Sequence, residues 1–246
     1  LDANTTGSQN TALGKSALSA NTTADFNTGI GRQALRDNTT GDSNTAVGFN
    51  SLLVNTTGTK NVAIGSTSLD ANTTGNYNVA IGDNALTANT TASTNVAVGQ
   101  AALETNSTGT SNTAVGTSAL NANTTADNNT AVGKNSLAAN TTASNNTAVG
   151  FNVLAGNTTG ANNTAVGREA LLSNTTGLSN VALGSTALDA NTTGSYNTSI
   201  GQASMSTNVD GSRNTAVGYA ALLTMDPDSA ADTYNTAVGF EALKLN

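Results

Sequence analysis

Hydrophobic and polar positions follow one another along this chain in a pattern with a 17-residue period. A motif Asn-(Thr/Val)-Ala-(Val/Ile/Leu)-Gly occurs fourteen times between Asn10 and Asn235, and two copies replace Ala with another small residue. The only change of spacing is a four-residue insertion between the copies at Asn214 and Asn235. Asn-Thr-Thr, or a close variant, recurs with the same period, beginning at Asn4, Asn21, Asn38, Asn55, Asn72, Asn89, Asn106, Asn123, Asn140, Asn157, Asn174, Asn191 and Asn208. Repetition with so short a period is typical of solenoids.

Each Asn-(Thr/Val)-Ala-(Val/Ile/Leu)-Gly motif predicts one short β-strand. Thr, Val and Ile favour strands, and the closing Gly favours a turn. A 17-residue unit is too short for a helical-hairpin repeat, which needs roughly 33 residues. By the strand period of two, Thr11 and Leu13 share one face, while Asn10 and Ala12 share the other. We therefore expect an all-β fold, a parallel β-solenoid (β-roll) of about fourteen 17-residue coils that spans residues 1–246 as one array.

Two aliphatic columns are expected to fill the interior of this solenoid. The Thr position becomes Val at Val62 and Val79, which favours a largely dry site, and the position two residues later is always Val, Ile or Leu. A further column is Leu in every copy except Met205, and charged and aromatic residues avoid all these columns. The predicted core comprises Val47, Ile64, Val98, Val132, Leu52, Leu69, Leu120 and Leu171.

The Ala in the middle of each motif predicts a contact between chains. Two buried aliphatic side chains contribute roughly 3–6 kcal/mol per coil, whereas ordering one coil costs on the order of 17–34 kcal/mol in backbone entropy. So thin a core favours a homo-oligomer, in which three chains pack about one axis. The alternative is that the Ala side chain faces a tight corner of its own coil. The proposed trimer interface comprises Ala46, Ala63, Ala80, Ala97 and Ala114.

Composition excludes several kinds of chemistry. The 246 residues include 37 Asn and 44 Thr but no His and no Cys, so histidine catalysis, Cys nucleophiles, the usual zinc sites and disulfides are excluded within this segment. A net charge of -7 with scattered Lys and Arg argues against a nucleic-acid partner. No apolar run approaches the roughly 18 residues of a membrane span. We expect no enzymatic activity and no membrane insertion in this segment, and the ends in mid-repeat suggest a fragment of a longer fibre.

Two copies of the repeat carry a family resemblance. Asn61-Val-Ala-Ile-Gly-Ser-Thr-Ser-Leu69 and Asn78-Val-Ala-Ile-Gly-Asp-Asn-Ala-Leu86 resemble the head repeat of YadA-like trimeric autotransporter adhesins. They are also similar to repeats of phage tail fibres and other bacterial surface fibres. The resemblance covers essentially the whole chain, and it implies a left-handed parallel β-roll, three chains per fibre and an extracellular location on a bacterial cell or virion. The repeat departs from the adhesin pattern by extra residues around Asn-Thr-Thr-Gly.

The Asn-Thr-Thr-Gly segments are the first candidate site. Asn and Gly tolerate left-handed backbone, so stacked turns with ladders of Asn amides are the favoured interpretation. The functional alternative is N-glycosylation, because twelve of these segments, from Asn4 to Asn191, contain Asn-x-Thr. Regular Thr arrays also suggest ice binding, but Thr5 and Thr6 are adjacent and would point to opposite faces of a strand.

Carboxylates form two further candidate sites. Asp226, Asp228 and Asp232 in the insertion are hard oxygen ligands that suit calcium, although the segment lacks the Gly and terminal Glu of an EF-hand, which favours a solvated loop. Asp25 and Asp42 share one column and would lie about 5 Å apart, the separation of a retaining glycosidase. A convex surface provides no cleft for them, so we predict no catalytic residue. The aromatic residues at variable positions are expected to be surface cover.

These observations favour a structural role, in which the chain is the shaft of an extracellular trimeric fibre that projects a terminal binding domain. Residues 61–78 and 180–197 differ at three of eighteen positions, and duplication of this kind lengthens a spacer without disturbing it. The alternative is that the solenoid surface itself is an adhesive module that binds glycan, receptor or ice. No cofactor is predicted other than the calcium considered above.

Overall fold

The computed structural model describes residues 1–224 and 233–245, which form three-residue β-strands joined by turns, with no helix among them. Successive strands follow the 17-residue period, except that four additional residues separate β13 from β14. The strands are β1 (Thr11–Leu13), β2 (Thr28–Ile30), β3 (Thr45–Val47), β4 (Val62–Ile64), β5 (Val79–Ile81), β6 (Val96–Val98), β7 (Thr113–Val115), β8 (Thr130–Val132), β9 (Thr147–Val149), β10 (Thr164–Val166), β11 (Val181–Leu183), β12 (Thr198–Ile200), β13 (Thr215–Val217) and β14 (Thr236–Val238). The predicted all-β parallel solenoid with a 17-residue coil is confirmed.

The chain forms two compact units, Leu1–Ala126 with β1–β7 and Asp127–Asn246 with β8–β14. Within each unit, every strand pairs in parallel with the next strand along the chain. Ala63, for example, pairs with Ala80 in the first unit, and Ala148 pairs with Ala165 in the second. Because the register shift equals one repeat, residues at the same repeat position stack into columns.

Hydrogen bonds between coils continue beyond the short strands. The amide of Leu52 donates to the carbonyl of Ser68 at 2.9 Å, and the amide of Thr56 donates to that of Thr73 at 3.0 Å. On another side of the coil, the amide of Lys60 donates to the carbonyl of Asp42 at 3.0 Å. Backbone groups of the turns are therefore paired like those of the strands, as buried backbone must be.

Tight turns return the chain to the start of the next coil. Each coil places three non-glycine residues in the left-handed region, including Thr67, Leu69 and Tyr77 with φ of 51°, 53° and 57°. This conformation costs roughly 1–2 kcal/mol per residue, so packing and hydrogen bonds must impose it. The closing Gly65 has φ of 136°, and a Cβ there would meet the carbonyl of Gly82 in the next coil. Only glycine fits that position.

The Leu column fills the interior of the coils. Leu52, Leu69, Leu120 and Leu171 are completely buried, which confirms their prediction as core residues. They do not lie on a second strand, because they occupy left-handed positions within the turns. From there each Leu side chain reaches across the coil toward the strand.

The middle residue of each strand also faces the interior, so the predicted orientation of the strands is wrong. The five proposed interface residues are fully buried inside a single chain and cannot contact another chain: Ala46, Ala63, Ala80, Ala97 and Ala114. Of the aliphatic residues predicted as core, Ile64 is 39% exposed. Val47, Val98 and Val132 are only half-buried. These four side chains point outward.

The thickness of the coil explains this orientation. At Gly29, which replaces the middle Ala, an added methyl group would lie 3.3 Å from Cγ of Leu18 and 3.2 Å from the carbonyl oxygen of Ala34. The Leu column thus leaves room for a methyl group or, at Ser199, for a hydroxyl that donates to the carbonyl of Ser204 at 2.8 Å. Since a β-branched side chain does not fit there, Thr, Val and Ile occupy the outward face, where Thr and Val are equally acceptable.

Candidate functional surfaces

The outward side of the strands presents an aliphatic side chain to the surface in every coil. We call it the strand face, and it consists of the first and third residue of every strand. Ile64, Ile81, Val115 and Val166 on this face are 36–39% exposed. Each side chain is covered on two sides by its neighbours in the same column, and its outer surface has no cover within the chain. The strand face is therefore a continuous stripe in each unit, with Thr or Val in its first column and Val, Ile or Leu in its second.

Two columns border the strand face. The leading column lies two residues before each strand and the trailing column two residues after it, in the turns on either side of the strand. The leading column contains Phe26, Lys60, Tyr77, Tyr196, Arg213 and Tyr234 among small polar residues. The trailing column contains Lys15, Arg32, Phe49, Asp83, Lys134, Phe151, Arg168, Tyr219 and Phe240. All eight aromatic residues of the chain thus border the strand face.

The aromatic side chains are exposed, and four of them contact basic side chains of adjacent coils, namely Phe49, Tyr77, Tyr196 and Tyr234. Arg32 lies 5.5 Å from the ring centre of Phe49, and Lys60 lies 5.0 Å from that of Tyr77. Tyr77 and Phe49 are 54% and 44% exposed. The expectation that aromatics cover the surface is confirmed in that none of the eight rings is buried. Their position beside the strand face was not foreseen.

The Asn-Thr-Thr-Gly segments form stacked turns, as the favoured interpretation predicted. The side-chain amide of Asn38 donates to Oδ1 of Asn21 at 3.1 Å, and that of Asn55 donates to Oδ1 of Asn38 at 2.8 Å. Each of these amides also donates to a carbonyl three residues later, such as Gly58 for Asn55 at 2.9 Å. Asn21, Asn38 and Asn55 are completely buried. A glycan on these nitrogens would require the ladder to open, so the folded turns do not offer glycosylation sites.

The two Thr residues of each turn differ in their surroundings. The first is half-buried, and its hydroxyl donates to the next coil, as from Thr39 to the carbonyl of Thr56 at 2.9 Å. The second, for example Thr40, Thr57 or Thr74, is exposed. The prediction that adjacent Thr residues do not form one flat two-column array is consistent with this difference.

A second Asn ladder was missed by the sequence reasoning. The Asn before each of the strands β2 to β13 is buried, and Oδ1 of Asn44 accepts the backbone amide of Asn61 at 3.0 Å. The side-chain amide of Asn61 donates to the carbonyl of Gly75 in the next coil at 2.8 Å. The signal for this role was the presence of Asn at that position in all fourteen copies.

Asp25 and Asp42 are structural acceptors, because their column supplies oxygen to backbone amides of the preceding coil. Oδ1 of Asp25 accepts the amide of Ser8 at 2.6 Å and its hydroxyl at 2.9 Å. Oδ1 of Asp42 accepts the amide of Asp25 at 2.8 Å. The bonds from the Ser8 amide and hydroxyl lower the pKa of Asp25, which suits an ionised acceptor and not a general acid. Asn76 and Ser93 take the same place in other coils.

Asp70 and Asp189 occupy one column in the two duplicated stretches. Each is half-buried, and each has a buried Oδ1 without a hydrogen-bond partner in the described part of the chain. Burial is the main cause that raises the pKa of both carboxyl groups, and Glu169 raises that of Asp189 further. Their neighbours in the column are Leu53 and Leu172 on one side, so they lie against apolar surface and form no pair of acids.

The calcium prediction concerns Asp226, Asp228 and Asp232, which lie outside the described residues. Within residues 1–224 and 233–245, no three acidic residues come together as metal ligands. The same residues contain no helix long and apolar enough to cross a bilayer.

Comparison of the chain with protein-family models, with curated proteins and with solved structures yields no match.

Proposed function

We propose that this chain is a shaft segment of an extracellular homotrimeric fibre on a bacterial cell or virion, which holds a terminal binding domain away from its base. The observation that carries the proposal is the strand face, an uncovered stripe of Thr and aliphatic residues that recurs in every coil of each unit. A trimer with the three strand faces turned toward a common axis would bury it. The resemblance to adhesin head repeats adds left-handed winding to the proposal.

A second copy of the chain is the partner that matches this stripe best. The columns of the strand face repeat with the spacing of hydrogen-bonded strands, about 4.8 Å. Only a partner with the same repeat can make an equivalent contact in every coil, and another copy has it by definition. Covering the exposed third of one Val or Ile contributes roughly 0.5–1 kcal/mol, and this contribution is repeated along the columns of each unit.

Light scattering on the soluble chain tests the trimer. We expect a mass three times the 24.2 kDa of one chain. Ile64→Arg combined with Ile81→Arg should dissociate it, because two cations per chain would enter a dry interface. The matched control is Thr57→Arg with Thr74→Arg, which places the same charges on exposed turns and should leave the mass unchanged. A mass of 24.2 kDa for the unmodified chain would refute the proposal.

The second candidate function, an adhesive surface for glycan, receptor or ice, is favoured by the exposed aromatic residues and the exposed second Thr of each turn. Retention of the isolated chain on glycan-coated, cell or ice surfaces separates the two functions. A shaft requires its terminal domain for retention, whereas an adhesive solenoid binds without it.

A further inference from the structure

The positive charge of this acidic protein is concentrated beside the strand face. Six of the eight basic residues lie in the leading and trailing columns, whereas only Asp83 of the fifteen acids does so. The other two basic residues are paired elsewhere, Arg36 with Asp37 and Lys244 with Glu241. A stripe of Thr and aliphatic side chains that is flanked by Tyr, Phe and Arg has a composition typical of protein interfaces, in which aromatic residues and Arg are enriched.

We propose that in the fibre the leading column of one chain packs against the trailing column of its neighbour at the same coil. This inference rests on the proposed trimer and adds how its chains recognise one another. When identical chains are related by rotation about an axis parallel to their columns, each coil contacts the same coil of its neighbours. The two borders of a strand face are different columns, so each corner of the assembly joins a leading column to a trailing column.

The residues that would meet under this rule are compatible in chemistry. Phe26 would meet Arg32, and Arg213 would meet Tyr219, both of which are cation–π combinations. Tyr77 would meet Asp83, whose carboxylate can accept the phenol hydroxyl. No coil carries basic residues in both columns, so cations of neighbouring chains are never opposed.

Engineered cysteines test the pairing, because the chain itself contains no Cys. Ser111 and Thr117 are exposed and lie on either side of β7. Within one chain, β7 and the residue on either side of it separate them by roughly 10–13 Å of extended backbone, too far for a disulfide, whose Cα atoms lie within about 7 Å. In the proposed assembly, Cys at position 111 of one chain faces Cys at position 117 of the next.

Oxidation of the Ser111→Cys, Thr117→Cys variant should give covalent trimers on non-reducing gels, with three times the 24.2 kDa mass of one chain. The matched control keeps Ser111→Cys but combines it with Ser66→Cys, the trailing residue three coils earlier beside β4. Three strand spacings are about 14 Å, so this variant should remain monomeric on the gel. Light scattering of both variants before oxidation should show the same trimer.

The outcomes separate this inference from the trimer itself. If the Ser111→Cys, Thr117→Cys variant is a trimer by light scattering but gives no covalent trimer on oxidation, the pairing of the columns is wrong and the proposed trimer is not affected. Equal cross-linking of both pairs also overturns it, because same-coil contact would then not be selective. A monomer by light scattering refutes the proposed function, and the pairing with it.

Discussion

The buried asparagines of the turns connect adjacent coils through side-chain hydrogen bonds. Asn72 donates to Oδ1 of Asn55 at 2.8 Å and to the carbonyl of Gly75 at 3.1 Å, and it accepts a bond from Asn89 at 3.0 Å. Asn72→Ala removes all three bonds and leaves the buried Oδ1 of Asn55 without its donor. We expect a loss of about 1–3 kcal/mol in the free energy of unfolding, measured by urea denaturation. Thr74→Ala, at an exposed position of the same turn, should change it by less than about 0.5 kcal/mol. Equal effects would show that the ladder contributes nothing.

Asp70 makes stability depend on pH in a known direction. Burial raises its pKa above the ordinary value of 3.8, so the folded state favours the protonated form. Its contribution to stability is therefore complete below pH 3.8 and is lost as the pH rises through the folded pKa. Asp70→Asn mimics the protonated carboxyl, and we expect a higher melting temperature at pH 7 and no difference at pH 3. A variant that melts below the unmodified protein at pH 7 would contradict this account.

At Asp25 the pH dependence of stability has the opposite sign, so Asp25 serves as the control for Asp70. The bonds from Ser8 lower its pKa, so its contribution is present above pH 3.8 and disappears as the pH falls through the folded pKa. Asp25→Asn should therefore lower the melting temperature at pH 7 and have no effect at acid pH. Because Asp25 is a surface residue, the shift should be small.

The turns store backbone strain that can be released selectively. Ala101 has φ of 55°, whereas the adjacent Ala102 is fully buried beside Leu103 and is not in the left-handed region. Ala101→Gly removes a penalty of roughly 1–2 kcal/mol at an entropic cost of about 0.4–1 kcal/mol. We expect a gain of about 0.5–1 kcal/mol from this change. Ala102→Gly should instead destabilise by about 1 kcal/mol or more, since it loses buried contacts and gains unfolded-state entropy. Thermal denaturation of both variants checks the difference, and a stabilising Ala102→Gly would contradict it.

The strands show what the sequence could predict and what it could not. Residue type and the period of two correctly located each strand and separated its inner and outer residues. The assignment of the faces failed, because Val62 and Val79 in a Thr column were interpreted as a dry interior. They are equally suited to a half-exposed outer face. Which face of the strand is inner depends on how far the side chains of Leu18 and its equivalents reach across the coil. These Leu residues lie in left-handed turns, and no Gly at their positions indicates such turns in the sequence.

At the scale of the whole molecule, the 17-residue period was the most informative feature of the sequence. Repeat spacing fixed the register, so every column could be named before the structure was known. The Asn of the Asn-Thr-Thr segments was correctly predicted to form stacked turns. The ladder formed by the Asn before each strand was not predicted. The surface was harder to interpret from the sequence. The positions of the leading and trailing columns relative to the strand face could be described only once the outward face of the strands was known.

Removal of one complete repeat tests whether each coil is an equivalent unit. Deleting residues 72–88 joins Ala71 to Asn89 and restores the Ala-Asn junction of the unmodified chain. Every column keeps its residue type, and Asn89 takes the place of Asn72 on Asn55. In a solenoid, stability is approximately a sum of coil and nearest-neighbour contributions. We expect the same circular dichroism per residue and a melting temperature lower by only a few degrees.

Deleting residues 72–79 instead removes about half a repeat and joins Ala71 to Ala80. The buried turn position of Asn72 would then receive an Ala that belongs in the middle of β5, and both Asn ladders would be interrupted. The hydrogen bonds of Asn72 and Asn78 would be lost and β5 would be displaced. The coils on both sides would then lose hydrogen-bond partners, since each coil depends on its neighbours for them. We expect this variant to lose cooperative unfolding in the first unit. If both deletions were tolerated equally, the columns would not be held by register, and the description of the coils as interchangeable repeat units would be wrong.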